Sequence, residues 1–530
     1  MTGKKIKGSE VCEANAVKDF NWYLKAAEEG DAAAQNEVGE FYYDGRDGVE
    51  QSFKEAFKWW MKAAEQGFAE AQKNVGWCYD FGEGVKEDKK EAFKWYKKAA
   101  EQGNVKAQLN LGNCYLFGEG VKENKKEAAQ WYRKAAEQGN AQAQCNLATC
   151  YYLGNGVNDD KKEAFKWWMK AAEQGDVGAQ LGVGMCYSAG EGVKENKKAA
   201  FKWYMKAAEQ GLAQAQCDLA SCYYLGNGVK EDKKEAFKWW LKAAEQGEAE
   251  AQFNIGMCYD LGEVVEEDKK TAFKWYMKAA EQGESDAQFS VAMSYDCGKG
   301  VKENKKEAFK WWLKAAEQGE VRSQFKVGCC YDFGKGVKEN KKEAVKWYEK
   351  AAEQNYIESQ FSLGCCYRNG NGVEQNCSKA FYWWLKAAEQ GDIRSQFNVG
   401  SCYNSGNGVA KNLKKAFEWY LKAAEQNDAY GQFAVGNSYY FGRGVKEDKE
   451  KAVEWFLKAA EQNNIPAQKM LYSCYAKGTG TEISPVKSAF WLMRAAQGGD
   501  EESQKIVAAS MLQAHQLMNI FHKNLDDDED

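Results

Sequence analysis

Proline is almost missing from this chain: Pro466 and Pro485 are the two in 530 residues. With 51 glycines beside them, that scarcity excludes proline-rich linkers and predicts many helices, each closed by a glycine. Histidine is as rare. His515 and His522 are seven residues apart, and two helical turns separate them by about 10.5 Å, too far to share one metal. No apolar run approaches the length that crosses a bilayer, and none follows the lysines of the opening "MTGKKIKGSEVCEANAVKDF". The expectation is a chain with neither signal nor anchor, no membrane insertion and a cytoplasmic location. An excess of one charge is lacking too. Lys and Arg number 73 against 78 Asp and Glu, a net charge of -5, which offers no basic stripe to nucleic acid. No Ser/His/Asp set, metal-ligand cluster or Cys-x-x-Cys pair occurs, and "GEGVKED" lacks the Lys-Ser/Thr ending of a phosphate loop. No catalytic residue, cofactor or metal is assigned.

What is present is one phrase, many times over. "KWWMKAAEQG" at Lys58 to Gly67 returns as "KWYKKAAEQG" at Lys94 to Gly103, and the pair Ala71-Gln72 recurs every 36 residues as far as Ser503-Gln504. In one copy, Asp88 stands at a helix N-cap and "KKEAFKWYKKAAEQG" follows. There Ala92, Trp95 with Tyr96, and Ala99 share one helical face, and Gly103 ends the helix. A second helix, "NVKAQLNLGNCYLFG", begins at once; Ala107, Leu111 and Tyr115 are spaced by four, and Gly112 permits close approach to a neighbour. Gly118 and Gly120 bracket the loop to the next copy. Such a hairpin must stack on copies of itself to cover its apolar faces.

Nineteen of the 20 tryptophans, all but Trp77, lie in the phrase. A buried Trp removes roughly 150–250 Å² from water, worth on the order of 4–6 kcal/mol before entropy. The spacing makes these rings, Trp239 among them, packing between repeats rather than an aromatic cage for a ligand.

Ala107, Leu111-Gly112, Tyr115, Gly118 to Val121, Ala128, Trp131-Tyr132, Ala135-Ala136 and Gly139 together resemble the Sel-one-like repeat, a relative of the tetratricopeptide repeat. The resemblance runs from about Ala14 to Gln504. It implies an all-α fold, a right-handed α/α superhelical solenoid of about 13–14 helical hairpins of 36 residues. A flexible segment over 1–13, a capping helix over 505–525 (Val507, Met511, Met518 and Leu525 covering the last face) and an acidic tail over 526–530 complete the expected organisation. Departures are few: Val264 replaces the second loop glycine, and Asn355, Asn427 and Asn463 replace the helix-ending glycine, a place Asn tolerates.

Ten of the 17 cysteines occupy one repeat position, from Cys78 and Cys114 to Cys474. Equivalent helices lie roughly 8–10 Å apart, whereas a disulfide spans Cα separations up to about 7 Å. Reduced, buried thiols are expected. A cysteine-rich relative of the family, secreted and in part β-lactamase-like, pairs a cysteine in the "KAAEQG" segment with one near the next helix start; this chain has Ala-Ala-Glu and Ala-Gln there.

Between the fixed places of the second helix, others vary. The place of Lys106 becomes Arg322 and Arg394; that of Asn113 becomes Trp77, Cys329 and Ser401; that of Leu116 becomes Asp332, Arg368 and Asn404. Positions 106, 109, 113 and 116 share one face, and at 109 stands the run Phe253, Phe289, Phe325, Phe361, Phe397 and Phe433. In tetratricopeptide relatives this helix lines the inner groove. Arg322, Phe325, Asp332, Phe361, Arg368, Arg394, Phe397 and Asn404 are therefore the candidate partner-binding residues. Whether the phenylalanines form a groove floor or pack between helices stays open. The functional expectation is a non-catalytic scaffold or adaptor for protein or peptide partners. The alternatives are a hydrolase of the cysteine-rich type and a regulatory arm of a membrane or cell-wall-synthesis complex.

Overall fold

The computed structural model describes residues 19–526, with side chains to Leu517. The segment expected over 1–13 and the tail over 526–530 lie outside the described residues, save that Asp526 ends the last helix. Twenty-eight helices and no strand occur among the described residues, from Phe20–Glu28 to Glu501–Asp526. The chain divides into two compact units, residues 1–258 with 262–266, and 259–261 with 267–530. Each is a stack of helical hairpins. In the first, Ala69–Phe81 packs on Phe53–Glu65 before it and Lys89–Glu101 after it; in the second, Val321–Phe333 lies likewise between Lys305–Glu317 and Lys341–Glu353. We call helices such as Lys89–Glu101, which carry the aromatic phrase, phrase helices, and those such as Val105–Phe117, which carry Ala-Gln, Gln helices.

The caps follow local chemistry. Asp88 accepts hydrogen bonds from the backbone N–H groups of Lys90 and Glu91, and Asn124 from that of Glu127, satisfying donors a helix start leaves orphaned. Asn355, Asn427 and Asn463 sit at φ 65°, 66° and 63°, so the left-handed turn survives loss of glycine there. Gly120 meets two demands at once. Its φ is +70°, and a Cβ would stand 2.0 Å from the carbonyl oxygen of Lys89, the start of the preceding phrase helix. At Val264 the backbone does not enter the left-handed region; the loop is rebuilt rather than strained.

The phrase itself is split by the structure. The second ring of each pair is the buried one: Trp60, Tyr96, Tyr132, Trp240 and Phe456 are at most 3% exposed. Each packs on a small residue of the preceding Gln helix, and a Cβ on Gly112 would lie 2.5 Å from Tyr132. Where that helix carries Tyr472 instead, the facing residue shrinks to Leu492, conserving volume. The first ring is mostly half-buried beneath the lysine one turn on: Lys98 Nζ lies 3.9 Å from the Trp95 centroid and Lys134 Nζ 3.6 Å from that of Trp131. One face meets that cation, while the ring also packs against the apolar cluster of the preceding hairpin, Trp131 on that of Ala92 to Cys114 and Trp239 on that of Ala200 to Cys222. The reading of the tryptophans as packing between repeats therefore holds for both rings, the inner one buried and the outer one, Trp239 included, half-buried with a lysine over it.

The Ala-Gln pair ties the stack together. Gln108 is buried; its amide donates to the carbonyl of Ala100 at 3.2 Å and its oxygen accepts from Gln138 of the next phrase helix at 2.8 Å. The second unit repeats this with Gln324, Ala316 and Gln354. A late helical carbonyl and a buried amide are thus satisfied together, which low-dielectric burial demands. The register runs out at one point. Gln468 donates to Ala460 at 3.2 Å, but its oxygen has no partner, because Gly498 stands where the donor glutamine belongs.

Gly498→Gln should supply that donor and stabilise the last hairpins by about 1 kcal/mol. Gly498 has φ -70°, so a side chain is compatible, and Gln390 and Gln426 already occupy the same place with Ile357 and Ile393 standing where Ile465 does. Hydrogen exchange over residues 465–500 measures the gain. Gly498→Ala, which adds helix propensity without the donor, should give less; equal effects would refute the ladder as the cause.

The last helix, Glu501–Asp526, packs on Pro485–Gln497. Ser503 is buried and Ile506 and Val507 are half-buried, whereas Met511, Leu512 and Leu517 are exposed by 64%, 60% and 67%. Of the expected covering residues, Val507 lies against the hairpin, Met511 does not, and the side chains of Met518 and Leu525 lie outside the described residues.

Candidate partner-binding face

The face predicted on the Gln helices is built mostly of side chains that already have intramolecular partners. The Arg322 Nε lies 2.7 Å from Glu320, the guanidinium also pairs with Asp286, and it covers the Phe289 ring at 4.3 Å. Asp332 lies 3.0 Å from the Lys341 ammonium and accepts from the Tyr348 hydroxyl at 3.3 Å. Arg394 stands 3.2 Å from Asp392 and 3.9 Å above Phe361. Arg368 and Asn404 are half-buried, Arg368 3.7 Å from the Cys377 sulfur.

The phenylalanines occupy the seam between successive hairpins. Phe325 meets Tyr348 at 5.8 Å and Tyr356 at 5.5 Å between ring centroids; Phe397 meets Tyr420 at 5.6 Å and Tyr430 at 6.1 Å. All are half-buried. Phe325, Phe397 and Phe433 each meet the inner aromatic of the next phrase helix, and at the next copy of position 106 Arg322, Arg394 and Tyr430 lie against Phe289, Phe361 and Phe397.

Position 116 varies for a reason the sequence hides. Its backbone carbonyl, not its side chain, is what the repeat uses. The first lysine of the following phrase helix binds it: Lys89 on Asp80 at 2.6 Å, Lys161 on Tyr152 at 2.5 Å, Lys197 on Ser188 at 2.6 Å. A cation on the last carbonyls also suits the helix C-terminus. Side chains there then join as they can, the Asp296 carboxylate 2.9 Å from Lys305 and the Tyr152 ring 3.5 Å from Lys161.

Sequence reasoning missed one row. The last residue of many Gln helices is apolar and exposed: Phe81, Phe117, Leu153 and Leu225 in the first unit by 60–68%, Phe333 and Phe441 in the second by 63% and 50%. The signal was an apolar residue directly before the capping glycine at the same 36-residue interval.

Burial pushes the Cys78 and Cys114 thiols up to about 12 and that of Cys150 to about 11. Sixteen described cysteines are unpaired, and Cys297 is exposed. Alkylation of the native protein at mildly alkaline pH should therefore label Cys297 ahead of the buried thiols. In denaturant without reductant all 17 should react; recovery of disulfide-protected pairs would overturn this. Among the described residues no His/Cys/Asp/Glu group could hold a metal ion, and no helix is long and apolar enough to cross a membrane.

A hairpin stack of this kind, with its polar groups satisfied from repeat to repeat, defines an α-helical solenoid of the repeat class. The Sel1 repeat family model matches the chain fourteen times in succession, from residues 8–31 through 32–68 and 69–104 to 467–500. The chain belongs to the Sel1 repeat family, whose members are generally non-catalytic scaffolds for protein interaction. It is similar to the solved structure of c5321, described as a protective antigen of uropathogenic Escherichia coli with an SLR fold, at 36% identity and TM-score 0.65 over 84% of this chain and 96% of that one. A Sel1 repeat protein of Oxalobacter formigenes is 33% identical, TM-score 0.45, over 60% of this chain and 95% of that one. Helicobacter pylori cysteine rich protein B is 27% identical, TM-score 0.21, over 25% and 94%. Among curated proteins nothing matches.

Proposed function

We propose that this chain is a non-catalytic scaffold that binds protein or peptide segments along the variable face of its Gln helices and so assembles a complex. The observation that carries the reading is a division of labour within each repeat. The inner ring, the buried glutamine and the lysine-bound carbonyl hold the fold through fixed contacts, while positions 106, 113 and 116 change from copy to copy at no cost to those contacts. Beside them runs the exposed row that includes Phe81 and Phe117, apolar surface of the sort that marks interaction sites. A cytoplasmic location belongs to this reading and is supported by the unpaired, buried thiols.

A photo-crosslinking residue at exposed Ser401, on this face, compared with one at exposed Lys310, on a phrase helix, tests the assignment. Crosslinks to a partner protein from 401 and none from 310 are expected; the reverse would move the binding face to the lysine-rich side. Arg322→Ala with Asp332→Ala should weaken capture of that partner. Since both side chains have internal partners, this pair should also lower stability by about 1 kcal/mol.

A further inference from the structure

The last helix, Glu501–Asp526, outruns the hairpin that supports it. Ser503 is buried and Ile506 and Val507 are half-buried, but every side chain from Ala508 to Leu517 is exposed. Nearly three turns therefore stand clear of the stack on all sides. Exposed faces of other helices have local support, such as the ion pairs Lys166–Glu163 at 2.8 Å and Lys238–Glu235 at 2.7 Å, one turn apart. Here none can form: from Ile506 to His522 there is no Asp, Glu, Lys or Arg. A lone helix of this length is marginal in water, and this one exposes Met511, Leu512 and Leu517 by 60–67%.

The spacing of its apolar residues says what kind of surface covers it. Met511 and Ala514 are three apart, and Met518, Phe521 and Leu525 continue along the helix at steps of four, three and four, their side chains outside the described residues. Alternating steps of three and four average 3.5 residues, the period of a seam between two nearly aligned helices. A helix lying on a bilayer would carry Lys or Arg along its polar side, and this stretch has neither. The positions beside the seam, Ser510, His515, Leu517, His522 and Asn524, include no Asp, Glu, Lys or Arg either. A charged partner finds no counter-charge there, whereas two copies of this helix meet without like-charge repulsion.

We infer that this helix pairs with the same helix of a second copy of the chain, a two-fold contact that closes on itself and does not propagate. Residues 508–526 span about 28 Å, and two such helices side by side bury on the order of 1,000 Å², the size of a weak and reversible but specific interface. The inference does not rest on the scaffold reading, since copies joined at this helix leave the variable face of the Gln helices as it is.

Sedimentation equilibrium of the full chain from about 1 to 100 µM, the range in which a weak pair forms, tests it. The expected result is a monomer that gives way reversibly to a dimer. Met511→Lys with Ala514→Lys should weaken dimerisation at least tenfold. Leu512→Lys, similarly exposed on the same helix but off the seam, should change it by less than about twofold. All three side chains are exposed, so the thermal melt of the monomer should stay where it is. Hydrogen exchange over residues 508–517 should slow as concentration rises in the natural chain and not in the double variant. A monomer at every concentration, a dimer that survives the double variant, or equal weakening by Leu512→Lys would overturn the inference.

Discussion

Trp240→Ala is expected to destabilise its part of the stack by about 3–5 kcal/mol, the usual cost of emptying a buried aromatic site. Trp239→Ala, one residue away, should cost about half as much. Trp240 is 3% exposed and its ring meets Tyr224 at 5.2 Å. Trp239 is half-buried, with the Lys242 ammonium 4.0 Å from its centroid, so its removal lets water and the lysine stem fill the space. Each hairpin packs mainly on its sequence neighbours, so the damage should be local. Hydrogen exchange should quicken most across Lys233–Glu245 and the Gln helix before it, Ala213–Leu225. Equal costs for the two tryptophans would refute the inner and outer division; a uniform loss of protection along the chain would refute the independence of neighbours.

Asp218→Asn should stabilise the first unit by about 2 kcal/mol at pH 7.5, and the gain should vanish near pH 4. Burial above all, with the Glu250 carboxylate adding to it, pushes Asp218 up to about 6 from an ordinary value of 3.8. A displacement of that size is worth at most ~3 kcal/mol. Above pH 6 the carboxylate is ionised in both states, and the folded state carries the cost of burying it. As pH falls from about 6 towards 4 the folded state takes up its proton first, so the natural protein gains stability and closes the gap on the variant. Asn occupies the equivalent place at Asn110, Asn146 and Asn254, so the substitution fits. Urea unfolding of both proteins at pH 7.5 and pH 4 reads the difference; a gain of the same size at both would show that ionisation is not its cause.

The sequence by itself determined the repeat, its length, the hairpin and the caps. These depend on residues within a turn or two of one another: Asp88 reaches its own helix start, and Asn355 takes up the left-handed turn of the glycine it replaces. The variable face was legible for the same reason, since positions 106, 109, 113 and 116 share a side of one helix whatever it packs against. Only the tertiary structure decided what each side chain meets. Gln108 and Gln138 are 30 residues apart, and the rule that joins them is burial of two amides at one seam, which periodicity cannot show. Trp239 and Trp240 read alike in the chain, yet one faces a lysine and the other an alanine of the preceding helix. Arg322 and Asp332 look like free polar surface until Asp286 and Lys341 are brought beside them. Local conformation follows from neighbours in sequence; satisfaction of buried polar groups and the choice of inner ring follow from neighbours in space, which the stacking of one hairpin on the next supplies.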